Sequence, residues 1–195
     1  NKLKDKRIVM LGEQSHGDGA TFEAKVKLIK FLHQEMNFNL LCFESGLYDN
    51  YVAYNSIHDQ DYINSPIKES VFGFWSETKE FQPLIQYIHT QKNSVNPLML
   101  AGFDCQEDFY FKENYFSDLK ANLTTTWNLT EDEATLIEQT FSSDGEDLHN
   151  NPSDSTLFFN ACKKVIQAMN KLESSNQIKL SIQKQTLISW LGYLN

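Results

Sequence analysis

Between Leu11 and Gly19 the chain reads L-G-E-Q-S-H-G-D-G, which sets a carboxylate, Glu13, three residues before an imidazole, His16. An imidazole titrates near neutral pH and can take a proton from water, and a neighbouring carboxylate fixes its tautomer and stabilises the imidazolium. Two further acids, Glu44 in F-E-S-G and Asp104 in G-F-D, each follow a short apolar run. Acids delivered to one edge by successive strand ends are costly to cluster unless they bind a cation, orient a histidine or share a proton. Glu13, His16 and Glu44 are therefore the candidate catalytic residues. Ser15, Gly17, Ser45, Trp75 and Asp104 are the candidate substrate contacts, although an acid after a strand, such as Asp104, often only caps the next turn. The glycines at 12, 17 and 19 are expected to let the loop turn sharply, and the helix start behind them to offer N–H groups to a developing oxyanion.

Three short apolar segments are expected to be the strands that present these residues: Arg7 to Leu11, Phe38 to Phe43 and Leu98 to Phe103. Helical patterns lie between them. Phe22, Val26, Ile29 and Leu32 recur at three and four residue steps within Thr21 to Met36, a second helix is expected over Tyr48 to Ile57, and a third over Glu77 to Thr90. Strand and crossover alternating in this way predict an α/β fold, a parallel β-α-β-α-β sheet in the N-terminal half. In such sheets the loops at the carboxyl ends of the strands converge where ligands bind. After Asp104 the pattern is helical. Thr130 and Glu133 spell a capping box for a helix to about Phe141. An acidic loop is expected over Ser142 to Ser155, then an apolar stripe from Leu157 to Leu172 and another helix around Ile182 to Leu191. Residues 1–106 are thus expected to be an α/β catalytic half, and 107–195 a helical segment of the same domain.

Twenty-six acids against seventeen Lys and Arg give 195 residues a formal charge of −9. That is the wrong sign for neutralising phosphates, so no nucleic-acid partner is expected. No apolar run approaches the ~20 residues of a membrane helix, and no apolar leader follows Asn1, so a cytoplasmic location away from membranes is expected. Cys42, Cys105 and Cys162 form no C-x-x-C pair and are expected to be buried thiols. The loop spaces neither as G-x-S-x-G nor as G-x-G-x-x-G, which disfavours a nucleophilic serine and a dinucleotide site. His33, His89 and His149 are expected to be structural or solvated, and His58, beside Asp59 and Asp61, to end a helix. Phe72, Phe74 and Trp75 fit an apolar pocket wall and a core equally well.

The run L-G-E-Q-S-H-G at Leu11 to Gly17, F-E-S-G at Phe43 to Gly46, and A-G-F-D-C-Q at Ala101 to Gln106, in this order and spacing, resemble the erythromycin esterase family. The resemblance implies hydrolysis of a macrolide lactone or related carboxylic ester, an activity tied to antibiotic resistance, without a metal or other cofactor. It implies that His16 is the general base for water, with Glu13 and Glu44 orienting it or the water. Members are considerably longer, and their second half supplies a further Arg and His, so this chain is expected to be part of a larger α/β domain.

Two other readings of the same residues stay open. Glu13, His16 and Glu44 or Asp104 could hold a divalent ion that activates water, though a single histidine would leave zinc under-ligated. The scaffold could equally bind a small ester without turning it over.

Overall fold

In the computed structural model the described residues are 3–58, 61–123, 128–143, 145, 146, 148, 152–172 and 178–194. They form two compact units, one of residues 1–44 with 50–103, the other of residues 45–49 with 104–195.

The first unit is built on α1 (Gly19–Met36), whose buried residues Phe22, Val26, Ile29 and Leu32 are the expected stripe. Asp18 caps its start by accepting from the Thr21 amide, and Asn37, at φ 58°, ends it in the left-handed region that Asn tolerates. Strands β1 (Leu40–Gly46) and β2 (Met99–Asp104) then pair in parallel, the Met99 N–H donating to the Asn39 carbonyl at 2.9 Å. Each begins one or two residues later than the apolar runs predict.

The expected first strand does not form. Residues 7–11 keep a strand-like alternation, with Ile8 and Met10 at 75% and 89% exposure and Leu11 packed against the core, but they join no ladder. Alternation positions side chains and supplies no partner for the backbone, and a strand needs both. Among the described residues the expected β-α-β-α-β sheet is therefore one parallel pair.

Between the strands lie α2 (Leu47–Asn55), a 3-10 turn at Pro66–Glu69, the short α3 (Gly73–Ser76) and α4 (Gln82–Lys92). The last starts five residues later than expected, because Pro83 suits only a first helical turn. Lys92 donates to the carbonyls of Tyr54 and Ile57 at 2.6 and 2.7 Å, satisfying groups left open at the end of α2. The core gathers Phe22, Trp75, Phe81, Leu84, Ile88 and Leu100, each worth ~1.5–3 kcal/mol when fully buried. His33 and His89 are buried against Tyr87 Oη and Ser65 Oγ, at 2.6 and 2.8 Å. Both are structural, as expected. His58 is exposed beyond the end of α2; Asp59 and His149 lie outside the described residues.

The second unit is helical, as the patterning predicts. A wide turn at Phe111–Tyr115 leads into α5 (Phe116–Asn122), followed by α6 (Glu131–Ser142), α7 (Pro152–Leu172) and α8 (Ile178–Leu194). The Thr130–Glu133 capping box is complete, and Glu133 also takes Lys164 Nζ at 2.6 Å. α7 begins within the expected acidic loop. Phe111, Tyr115, Phe141, Phe158 and Trp190 pack as one ring cluster, with neighbouring centroids 4.6–6.2 Å apart. Cys162 is buried in this unit and Cys105 half-buried, whereas Cys42 is exposed, contrary to expectation, because its position on β1 faces away from the core. No described helix is long and apolar enough to cross a membrane.

Candidate active site

Glu13 is the hub of a hydrogen-bonded cluster in the first unit. Its Oε1 contacts His16 Nδ1 and accepts from Trp75 Nε1 at 3.0 Å, while Oε2 accepts from Lys25 Nζ at 2.8 Å. The carboxylate is nearly withdrawn from water, its side chain 12% exposed, whereas that of His16 is 61% exposed. Burial pushes the Glu13 carboxyl up, but hydrogen bonds from Lys25, His16 and Trp75, with the Lys25 charge, outweigh it and hold Glu13 below its ordinary range. Glu13 is therefore ionised at neutral pH.

An ionised Glu13 at Nδ1 selects the tautomer of His16 that carries its proton there. The lone pair then sits on Nε2, on the ring edge away from Glu13. Aromatic rings flank the imidazole: Phe74 with its centroid 4.5 Å away, and Trp75 at 5.7 Å, edge-on. Trp75 is buried and its indole N–H is spent on Glu13, so it acts as a support for the carboxylate.

Glu44 ends the part of β1 that belongs to this unit. It is exposed and joins no hydrogen bond or ion pair with the Glu13 cluster. The Ser15 hydroxyl accepts from the Gly17 amide at 3.4 Å, closing the loop on itself. Neither Gly17 nor Gly19 has a positive φ, so the freedom expected of them is not used. Gly19 serves close approach instead: a β-carbon there would lie 2.9 Å from Glu80 Cδ. The Glu80 carboxylate thus rests against the start of α1, and Asp18 takes the Thr21 amide and hydroxyl. The expected oxyanion donors at this helix start already face the Asp18 carboxylate and that of Glu80, the latter paired with Lys79 at 3.6 Å.

Ser45 and Asp104 belong to the second unit. Ser45 is buried, and Asp104 accepts from the Gln106 amide at 3.1 Å, the turn-capping role open to an acid after a strand. Nearby, Asp49 accepts from the amides of Asp108, Tyr110 and Phe111 at 2.9, 2.7 and 3.2 Å. Glu107 is buried beside it, its carboxyl set against that of Asp49 at Gly46. Burial and the adjoining Asp49 push its carboxyl up to about 10, the amides of Asp49 and Leu47 pulling weakly the other way. Glu107 is a neutral acid facing a carboxylate.

Sequence reasoning missed Lys25. Its signal lies in the pattern of α1: position 25 is three after Phe22 and four before Ile29, so a lysine falls inside the apolar stripe. A cation there needs a buried partner, and Glu13 is that partner.

No protein-family model matches the chain. Over 104 residues, 53% of this chain, it is 42% identical to a protein of Bacillus subtilis (strain 168) named "Putative hydrolase YbfO". It is also similar to a crystal structure of a Bacillus cereus protein, with a TM-score of 0.71 over 92% of this chain at 17% identity, a likeness of fold alone. The chain spans 23% of the length of the first and 45% of the second.

Proposed function

We propose that the chain carries the acid–base centre of a hydrolase that opens a carboxylic ester or lactone with water activated by His16. The observation that carries this reading is the Glu13–His16 contact, with Glu13 held on its other sides by Lys25 and Trp75. The hydrolase named in Bacillus subtilis supports the reaction class. A macrolide lactone is the form of that substrate implied by the resemblance of L-G-E-Q-S-H-G to the erythromycin esterases.

In this reading a water molecule at His16 Nε2 gives up a proton as its oxygen bonds to the carbonyl carbon. The carbonyl electron pair moves to oxygen. When the tetrahedral adduct collapses, the bond to the alkoxy oxygen breaks and the proton on Nε2 passes to that leaving oxygen. Glu13 stabilises the imidazolium between the two transfers, and such general-base assistance contributes ~10²–10⁴ in rate. Glu44, exposed on β1, is the second carboxylate of the proposal and orients water or substrate.

The test is turnover of simple esters and of a macrolide by the whole protein and by its His16→Ala, Glu13→Gln and Glu44→Gln variants. Large losses in the first two and a smaller loss in the third are expected. Unchanged turnover in His16→Ala removes the base assignment.

A further inference from the structure

We propose that Phe74 is the specificity-determining residue of this site, its ring receiving an uncharged apolar acyl group, aromatic by preference, of the ester that water activated by His16 attacks. The proposal rests on the reading of His16 as the base.

Three rings hold Phe74 in place. It lies 4.5 Å from His16, stacks on Phe72 at 5.4 Å and 20°, and meets Trp75 edge-on at 4.8 Å. Yet it is 47% exposed. Its neighbours are committed elsewhere: Trp75 is buried with its N–H on Glu13, and Phe72 packs against the core. Phe74 is the ring that leaves a large apolar surface to water beside the candidate base. No helix demand explains it, since α3 has four residues and no side-chain cap.

Charge narrows the ligand. Lys25 is spent on Glu13, and Asp18 puts a carboxylate at the nearby start of α1, where Glu80 is paired with Lys79 at 3.6 Å, so this end of the site disfavours a negatively charged acyl group. An uncharged group lying on Phe74 at van der Waals distance keeps its carbonyl carbon beside the imidazole. A flat aryl group gains most, because offset stacking would extend the series Phe72–Phe74.

The test uses two para-nitrophenyl esters with a common leaving group, the acetate and the phenylpropanoate. Phe74→Ala is expected to lower the ratio of kcat/KM for the phenylpropanoate to that for the acetate at least about tenfold, with Phe74→Tyr close to wild type. Equal losses on both esters, or none, overturn the proposal. Binding of phenylpropanamide, followed through the Trp75 indole N–H resonance, is read in parallel and needs no turnover. The wild type is expected to shift that resonance and Phe74→Ala not to; an unmoved wild-type resonance overturns the proposal. His16→Ala separates the two claims. It abolishes hydrolysis of both esters while sparing amide binding, so its failure to do so indicts the base and leaves Phe74 standing.

Discussion

Lys25, in the apolar stripe of α1, donates to Glu13 Oε2 at 2.8 Å, with both side chains largely withdrawn from water. The pair fixes the loop on the helix that follows it, and so fixes the edge of His16 that Glu13 touches. Its other consequence is energetic. Each partner is expensive to bury without the other.

Lys25→Met leaves Glu13 charged, buried and short of a donor. We expect a loss of about 3 kcal/mol in the first unit, read by thermal unfolding, and a smaller loss in Lys25→Arg, which keeps the charge.

The same pair sets an acid limit. Because the folded Glu13 carboxyl lies below its usual 4.5, its contribution is fully present above that value and fades as the pH falls through the lower folded value. Unfolding followed between pH 6 and pH 2 is expected to show an acid-dependent loss that is reduced in Glu13→Gln.

Gly46 admits no side chain. A β-carbon there would lie 2.3 Å from Glu107 Oε2 and 2.6 Å from Asp49 Oδ2, both oxygens of constrained carboxyls. Gly46→Ala is expected to cost the second unit about 1–3 kcal/mol or more by denaturant unfolding. A shorter partner, in Gly46→Ala with Glu107→Ala, should recover part of that loss.

Glu107 gives the opposite pH sign. Its folded value is raised to about 10, so the folded state binds the extra proton and its contribution is lost as the pH rises toward that value. Tyr48, Tyr115, Cys105 and Asp104 stand in the same neighbourhood, and burial raises the two tyrosines and the thiol as well. Glu107→Gln, neutral at every pH, is expected to flatten the alkaline limb of the stability profile between pH 7 and pH 10.

Helices with a stripe and a cap were readable from residue types: the four buried apolar positions of α1, the Thr130–Glu133 box and the run through α7 all follow from spacing and local hydrogen bonding. Residues 7–11 were not, because their alternation is local whereas ladder partners are supplied from elsewhere in the chain. The site divided in the same way. Glu13 and His16, three apart in one loop, met as their spacing suggests. Lys25 and Trp75 reached Glu13 from elements 12 and 62 residues away, contacts that only the packing of α1 and α3 creates.

The central claim is that a Glu13-held His16 is the base that activates water. It is tested most directly by comparing ester turnover of the whole protein with that of His16→Ala across pH 5 to 9. A loss of ~10²–10⁴ in kcat/KM is the predicted result. Turnover unchanged in a folded His16→Ala protein would contradict it.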